Sequence, residues 1–539
     1  MSVDKKKILA FDIGTTGVKT CIVEAGETLR ILAGASAGYG LYLLPDGGAE
    51  QDPDEWWSAM CSTARQVMEE TGTGAEEIAG ISFCSQMQGL VLVDREGKPV
   101  RRPMSYMDQR AKAEIREGMQ KGICIAGGNA RRLLKCIRLT GAAPLSVKDP
   151  VWKYKWVEKH EPENFRRVYR WLDVKESLIA RAAGVFVMTP DSAFSTMLYD
   201  TRKGREGWSR ELCRLFGVNM DHLPEVIPCQ ARAGTLREDA ARELGLLPGT
   251  PVFGGGGDAT LIGVGAGAAG LGDTHIYQGT SGWVETVTDR RAVDPSSMIA
   301  AIVGAEPGRF NYFAEMETAG KCLEWVKNHL ALDEIGIYLE KHDVTEGTGD
   351  HEAVCASLFT YLTDTIRKAE PGSGGVIFTP WLHGNRCPFE DPAACGMFFN
   401  VRLETGKTEM IRAVVEGICF HLRWMLECAD RKVRSSEKVR FVGGGALSPV
   451  TCQILADILN RTVETVPDPQ DVGSVGAAAL ACQGLGIIRK LEEVKDMIPV
   501  TGVYKPSGDP AVRAVYDRNY RVFRELYEKN RTLMGILNR

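Results

Sequence analysis

The sequence lacks the features that mark membrane and nucleic-acid-binding proteins. No stretch approaches the roughly 18 consecutive apolar residues of a membrane helix. The nearest candidate, 259–272, is short and glycine-rich. Lysine and arginine are dispersed along the chain and the net charge is −5, so we expect no basic patch for nucleic acid or an anionic membrane. These absences predict a globular protein with neither nucleic acid nor a membrane as its partner.

Cysteine and histidine are present, but not in ligand patterns. None of the 15 cysteines forms a Cys-x-x-Cys pair, and none of the eight histidines forms a His-x-x-x-His pair. An odd number of scattered cysteines is typical of reduced core residues, which argues against disulfides and a structural metal site. The first residues, MSVDKKK, lead directly into a strand without an apolar signal region, so we expect a cytoplasmic protein.

Two glycine-bounded turns recur along the chain. The segment ILAFDIGTTGVKTCIV, residues 8–23, has the pattern of two strands around a Gly-Thr-Thr-Gly turn. A Gly-Thr-Ser-Gly turn follows 265 positions later, at 279–282. With 539 residues, the chain is also longer than one hydrophobic core usually serves. We therefore expect an α/β protein with a duplicated domain, divided into 1–256 and 257–539.

The first turn has the composition of a phosphate site. Gly14 lets backbone amides approach an anion, and Thr15 and Thr16 add hydroxyl donors. Asp12 would face the same anion, which requires a cation between the two, and Mg²⁺ held by one carboxylate and water molecules fits. The simpler alternative is a Gly-Thr hairpin that carries an aspartate by chance.

Later loops extend this pattern. Asp258 follows four glycines and could accept the proton of an attacking hydroxyl in phosphoryl transfer, although an aspartate after such a turn often only caps a helix. The glycine cluster at 443–446 would let a nucleoside lie against the backbone, and is otherwise a tight strand-to-helix turn. The Gly-x-Gly-x-x-Gly sequence at 265–270 lies in or after the apolar segment that begins at Asp258, so it does not indicate a dinucleotide site.

Taken together, these motifs resemble those of the FGGY carbohydrate kinases. The resemblance covers nearly the whole chain, with the segments EQDPDEWW, HEPENF, LPGTPVFGGGGD, QGTSG, RAVVEG, GGGALS, QILADILNR and GSVGAAALA in the expected order. It implies two actin-like (ribonuclease H-like) domains with a cleft between them. ATP and Mg²⁺ would lie on one side and a carbohydrate at the floor, and domain closure would exclude water.

The resemblance also implies roles for individual residues. Asp258 corresponds to the catalytic base and to a sugar contact, and Asp12 to the carboxylate beside Mg²⁺. The implied ATP-binding residues are Asp12, Gly14, Thr15, Thr16, Lys19, Gly279, Thr280, Ser281, Gly444, Gly445, Ala446 and Ser448. The implied sugar-binding residues are Gln86, Met87, Gln88, Asp108 and Asp258.

Within the family, the sugar loops are most similar to those of xylulose kinases, with two departures: Gln88 stands where those proteins have His, and Tyr106 where they have Trp. Elsewhere, Asn385-Arg386 stands where the family often has Glu-Arg, and Thr451 where an aromatic residue is common near the adenine. We expect ATP-dependent phosphorylation of a ketopentose such as D-xylulose. The alternatives are another ketose, gluconate or a polyol as acceptor, and an actin-like ATPase with no sugar substrate. The resemblance also allows a homodimer.

Overall fold

The protein has an α/β architecture built around two large β-sheets, one of seven strands and one of eight. The computed structural model describes residues 5–125, 127–330 and 363–538. The segment 336–361, for which the sequence predicts only helix and loop, lies outside the described residues. Within the described ranges, no helix combines the length and the apolar character needed to cross a membrane.

The first sheet gathers strands from the N-terminal half. Its strands are β1 (Lys6–Ile13), β2 (Gly17–Ala25), β3 (Leu29–Gly38), β4 (Ile78–Ser85), β5 (Arg232–Thr235), β6 (Pro251–Phe253) and β7 (Gly256–Gly257). The order is β5-β6-β4-β1-β2-β3, and β7 also pairs with β4. β2 is antiparallel to both β1 and β3, whereas β4 is parallel to β1.

The second sheet follows the same plan in the C-terminal half. Its strands are β8 (Thr274–Gln278), β9 (Gly282–Thr288), β10 (Val293–Asp294), β11 (Ile299–Val303), β12 (Phe310–Met316), β13 (Lys438–Val442), β14 (Thr462–Thr465) and β15 (Gly502–Tyr504). The order is β10-β11-β12-β9-β8-β13-β14-β15. β8, β9 and β12 are antiparallel neighbours, and β13 is parallel to β8.

The shared plan puts the two glycine turns at equivalent places. The Gly-Thr-Thr-Gly turn joins β1 to β2, and the Gly-Thr-Ser-Gly turn joins β8 to β9. In each sheet, the strand before the turn has its antiparallel partner on one side and a parallel strand on the other. The duplication predicted from the two turns is therefore present in the strand order.

Helices and short strand pairs surround the sheets. The helices are α1 (Pro53–Thr71), α2 (Lys112–Met119), α3 (Ala130–Thr140), α4 (Pro150–His160), α5 (Pro162–Arg166), α6 (Val174–Ala183), α7 (Pro190–Ser195), α8 (Arg210–Phe216), α9 (Glu238–Leu244), α10 (Asp258–Gly265), α11 (Gly320–His329), α12 (Lys407–Ala429), α13 (Pro449–Leu459), α14 (Val472–Gly484), α15 (Val494–Met497) and α16 (Pro510–Asn538). The short pairs are Tyr42–Leu43 with Ala49–Glu50, Val91–Val93 with Arg170–Leu172, Cys124–Ile125 with Gly128–Asn129, Val187–Met188 with Glu225–Val226, Tyr199–Asp200 with Gly207–Trp208, and Ile377–Phe378 with Phe398–Phe399.

Helices α10 and α14 pack tightly against each other and connect the halves. A Cβ atom on Gly265 would collide with the carbonyl oxygen of Val472, so glycine is required where the helices touch. Gly265 opens the 265–270 sequence and ends α10, which confirms that this sequence is not a strand-to-helix nucleotide loop. One hydrophobic cluster joins Ala10 of the first sheet to Leu480 of α14. The division at 256/257 stays a prediction, since α14 packs on the first sheet.

Candidate functional site

The first turn, between β1 and β2, is fixed through its carbonyl groups. The Tyr39 hydroxyl donates a hydrogen bond to the Gly14 oxygen at 2.5 Å, and Gln51 Nε2 donates to the Thr15 oxygen at 2.7 Å. The Tyr39 amide donates to the Thr16 oxygen at 3.0 Å. Among the described residues, no acceptor pairs with the amides of Thr15 or Thr16. The turn therefore offers amide donors to an anion, as a phosphate loop requires.

Asp12, at the end of β1, faces the N-terminus of α14. A Cβ on Gly473 would collide with the Asp12 carboxylate, so only glycine leaves room for it there. Burial raises the pKa of Asp12, and the Lys19 ammonium opposes that rise. Lys19 Nζ donates to the Gln470 oxygen at 2.8 Å and lies 3.2 Å from Asp471 Oδ1. A carboxylate that is costly to bury ionised is stabilised by a bound cation, so the position suits the predicted Mg²⁺.

The second turn, between β8 and β9, is fixed in a similar way. The Gly279 amide donates to the Ser281 oxygen at 3.0 Å. At the start of α11, the Ala319 amide donates to the Thr280 oxygen at 3.1 Å and the Gly320 amide to the Gly279 oxygen at 2.7 Å. A Cβ on Gly320 would collide with that Gly279 oxygen. Both turns thus use their carbonyl groups internally, and Thr280 is exposed at the tip of this one.

The third glycine loop follows β13 and borders the second turn. Gly443 has φ +87°, and a Cβ there would lie 2.6 Å from the Gln278 oxygen. A Cβ on Gly445 would lie 2.6 Å from Gln278 Cδ. Gly444 and Ala446 belong to the 3₁₀ turn of the same loop. Ser448 instead caps α13, accepting from its third backbone amide at 3.3 Å. The loop and the second turn therefore form one continuous backbone surface.

The loop after β4 connects the first turn with Asp258. Gln86 Nε2 donates to the Gly14 oxygen and to Gln51 Oε1, each at 3.0 Å. The Met87 side chain lies against Gly257, where a Cβ would collide with its Cγ and Sδ atoms. Gln86 and Met87 thus lie between the first phosphate turn and the residue that precedes Asp258.

Gln88 is held in a left-handed backbone conformation. Its φ is +62°, an arrangement that costs about 1–2 kcal/mol for a residue with a Cβ. Its carbonyl accepts from Lys153 Nζ at 2.6 Å, and the following amide of Gly89 donates to Asp173 Oδ1 at 2.9 Å. Lys153 is fully buried, and burial lowers its pKa to about 8. These buried partners stabilise the strained loop.

Asp108 and Tyr106 occupy different environments, although they are two residues apart. Asp108 is fully buried, and its Oδ2 accepts from the Ala49 amide at 2.9 Å and from Arg110 Nη2 at 2.7 Å. A direct sugar contact by Asp108 stays a prediction, and it would compete with this ion pair. Tyr106 lies beside the first turn, where its hydroxyl accepts from Thr15 Oγ1 at 3.4 Å. Tyr106 is therefore the nearer of the two to the phosphate turn.

Asp258 is the first residue of α10. Its Oδ1 accepts from the Ala259 amide at 2.7 Å. Burial raises the pKa of Asp258 to about 7, and the charges of Asp12 and Glu315 add to that rise. A carboxylate with this pKa is partly protonated at neutral pH and can both accept and release a proton there, as a general base requires.

A buried ion network positions the backbone directly before Asp258. Asp191 Oδ2 accepts from the Gly257 amide at 2.7 Å. Burial alone would raise the pKa of Asp191, but the Lys175 ammonium and the hydrogen bonds from Thr189 and the Gly257 amide together outweigh it, and the pKa is lowered. Thr189 Oγ1 donates to Asp191 Oδ1 at 2.5 Å. The ionised Asp191 therefore fixes the strand-to-helix step from which Asp258 projects.

Sequence reasoning missed several residues that shape this site: Tyr39, Gln51, Lys153, Asp173 and Asp191. Gln51 precedes α1 in the EQDPDEWW segment, and Tyr39 follows β3. Each of these residues contacts a partner that is distant along the chain, and no local motif or periodicity predicts such a contact. The one available signal was composition, because a lysine such as Lys153 inside an apolar helix face is unusual unless it is paired.

Comparison with known proteins gives the family. The model of the FGGY family of carbohydrate kinases, N-terminal domain, matches residues 7–265, and the C-terminal domain model matches 275–485. A xylulose kinase of Staphylococcus epidermidis is 27% identical over 534 residues, 99% of each chain. A gluconokinase of Bacillus subtilis is 26% identical over 515 residues, 94% of this chain and 92% of that protein.

Solved structures give the fold. A ligand-bound xylulose kinase and a gluconate kinase, both from Lactobacillus acidophilus, each superpose with a TM-score of 0.83 at 24% identity, covering 99% of this chain and 100% of theirs. At this identity the likeness establishes the fold alone, and it confirms the predicted two-domain actin-like architecture. Because the two family models together match well over half of the sequence, the chain belongs to the FGGY family of carbohydrate kinases.

Proposed function

We propose that this chain transfers the γ-phosphoryl group of ATP to a hydroxyl of a ketopentose such as D-xylulose, with Asp258 as general base. The observation that carries the proposal is Asp258 itself. Its pKa of about 7 suits proton transfer at neutral pH, and Asp12 beside the first phosphate turn is close enough to contribute to that value. Xylulose kinases among the relatives support the choice of acceptor.

The two turns and the third loop would hold the nucleotide. The amides and hydroxyls of Thr15 and Thr16, with Gly14, would bind phosphate from the first half, and Gly279, Thr280 and Ser281 from the second. Lys19, which lies opposite Asp12 in the β1–β2 pair, would also contact the nucleotide. Gly444, Gly445, Ala446 and Ser448 would border the adenosine. Asp12 would hold Mg²⁺, which when bound neutralises charge on the phosphates.

The sugar loops would orient the acceptor toward Asp258. Gln86, Met87, Gln88 and Asp108 are the proposed sugar-binding residues, with Tyr106 beside them. Asp258 accepts the proton of the acceptor hydroxyl as its oxygen bonds to the γ-phosphorus and the bond to ADP breaks. Closure of the cleft would exclude water and so favour transfer to the sugar over hydrolysis.

Other acceptors in the same class remain alternatives. Gluconokinases are also among the relatives, so gluconate stands beside another ketose or a polyol as a second candidate. The actin-like ATPase alternative is not supported, because the chain belongs to a carbohydrate kinase family. The cytoplasmic location and a homodimer stay predictions of the sequence.

The test is ADP release with ATP and Mg²⁺ against a panel of ketoses, aldoses, aldonates and polyols. We expect turnover on a ketopentose well above the sugar-free background. Asp258→Asn should abolish that turnover and keep ATP binding, measured by calorimetry. Asp289→Asn, at an exposed surface position, is the matched control. Sugar-independent hydrolysis, or full activity of Asp258→Asn, would contradict the proposal.

A further inference from the structure

A charged cluster from the second half lies near the general base. Arg386 Nε lies 3.1 Å from Glu317 Oε2, and Arg386 Nη1 also pairs with Glu315. The charge of Glu315 raises the pKa of Asp258, and those of Glu315 and Glu317 raise the pKa of Tyr106 after the larger effect of burial. Glu315 lies on β12 opposite Trp283, one residue after the second turn, so the cluster borders that turn and is within electrostatic reach of Asp258 and Tyr106.

The cluster is accessible and carries excess negative charge. The side chains of Arg386, Glu315 and Glu317 are 41%, 27% and 23% exposed, so they border solvent and are not core residues. Glu315 and Glu317 pair with one guanidinium, which Asp149 also faces, and Asp258 adds further negative charge when ionised. The guanidinium is consequently occupied, and the field at this part of the cleft is negative.

Other cations at the sugar loops are engaged as well. Arg110 Nη2 contacts Asp108 Oδ2 and Glu50 Oε1, each at 2.7 Å. Lys153 Nζ is buried and donates to the carbonyl of Gln88. An acceptor carboxylate would find these charges already paired, whereas hydroxyl groups can donate to the carboxylates of the cluster.

We propose that Glu315 and Glu317, by occupying Arg386, select a neutral polyhydroxy acceptor and disfavour an aldonate. The inference rests on the proposed function and names the substrate class of the same site. It chooses between two candidate acceptors for this chain, a ketopentose and gluconate. Sequence identity does not choose between them, because a xylulose kinase and a gluconokinase are 27% and 26% identical to this chain. An anionic substrate placed against like charge loses binding free energy, and a neutral one does not.

The test compares kcat/KM for D-xylulose, a neutral pentitol and D-gluconate in the wild type and two variants. We expect the wild type to prefer a neutral acceptor. Glu315→Gln/Glu317→Gln frees the guanidinium and should raise the gluconate-to-neutral ratio of kcat/KM by roughly 10- to 100-fold. Adding Arg386→Gln to that double variant should abolish the gain, because the cation that receives the carboxylate is then absent.

The outcomes separate the inference from the proposed function. If no acceptor is turned over, both the proposed function and the inference are overturned. Wild-type turnover that favours gluconate leaves the kinase standing and overturns the inference. An unchanged ratio in Glu315→Gln/Glu317→Gln also overturns it. The same melting temperature in all variants is checked by calorimetry, so that a lost fold is not counted as lost selectivity.

Discussion

At the scale of single residues, the ionisation of Asp258 should control the rate. The base must be deprotonated to accept the acceptor proton, and its pKa is about 7. We therefore expect kcat/KM to rise about tenfold per pH unit below that value and to level off above it. A pH profile of ADP release measures this. A flat profile between pH 5.5 and 8.5 would contradict Asp258 as the base, provided that circular dichroism shows the fold intact throughout.

The same carboxyl should destabilise the protein at high pH. Its folded pKa of about 7 lies above the unfolded value of 3.8, so the native state binds the proton more tightly. The destabilisation is absent below about pH 4, grows between the two pKa values and is constant above pH 7, where it amounts to at most about 4 kcal/mol. Asp258→Asn should therefore unfold at higher urea than the wild type, by more at pH 8.5 than at pH 5. An equal difference at both pH values would contradict the raised pKa.

Asp191 should act as a positioning residue for Asp258. Its Oδ2 accepts from the Gly257 amide, and Asp191→Ala removes that acceptor, whereas Asp191→Asn keeps an oxygen there without the charge. Misplacing the base by a fraction of an ångström should lower kcat roughly 10- to 100-fold in Asp191→Ala, with the KM for ATP little changed.

The comparison of the two Asp191 variants separates positioning from folding. Both leave the buried Lys175 with Glu176 but without the charge of Asp191, so both should lose stability in thermal unfolding. Asp191→Asn should nevertheless recover part of kcat. Equal kcat in the two variants would mean that Asp191 serves the fold alone.

Sequence motifs pointed to candidate site residues but not to their surroundings. Asp12, Asp258 and the turn residues carry local signals, because glycine and hydroxyl residues mark turns between strands. Asp108 shows the limit of such reasoning. Its motif suggested a sugar contact, but its pairing with Arg110 and its contact with the Ala49 amide depend on how separate segments meet. No pattern within one segment reports that meeting.

At the scale of secondary-structure elements, α14 is the part that the sequence placed least well. The segment GSVGAAALA carries part of the family resemblance and forms α14, where the mostly small residues at 473–479 allow close packing. Its position against the first sheet was not predicted, since the packing partner lies more than 400 residues away along the chain. The pairing of β1 with β2 and of β8 with β9, in contrast, followed from the repeated turns, because each turn fixes a hairpin locally, whereas the order of the other strands did not.

The contact of α14 with β1 gives a prediction at this scale. The atoms nearest to a Cβ at Gly473 all belong to the Asp12 carboxylate, the mobile end of a side chain, so Gly473→Ala should displace Asp12 while the helix persists. We expect a higher Mg²⁺ requirement and roughly tenfold lower kcat, because one carboxylate–metal interaction is weakened. Titration of activity with Mg²⁺ measures the change.

A matched glycine serves as the control for Gly473→Ala. A Cβ at Gly508 meets no atom within 4 Å, and its φ lies outside the left-handed region. Gly508→Ala should therefore leave both the Mg²⁺ titration and kcat as in the wild type. If Gly473→Ala matched it, Asp12 would have no part in metal binding.

At the scale of the whole molecule, the proposed nucleotide site draws on both halves. The first turn belongs to the first sheet, whereas the second turn and the loop at 443–446 belong to the second. Asp258 begins α10 inside the N-terminal family match, and Gly257 before it pairs with β4 of the first sheet. Binding of ATP and acceptor between such halves should therefore be coupled through their relative position.

The coupling predicts that the two ligands stabilise the protein together by more than the sum of their separate effects. One ligand at 100 times its Kd stabilises the native state by about 2.7 kcal/mol. The effect of a second ligand is additive only if its affinity does not depend on the relative position of the two halves that the first ligand favours. We expect the unfolding free energy with both a non-hydrolysable ATP analogue with Mg²⁺ and D-xylulose to exceed the additive value. Urea unfolding with each ligand and with both measures it, and Gly320→Ala, which displaces the second turn, should remove the excess. A strictly additive result in the wild type would mean that the halves bind their ligands without closing on each other.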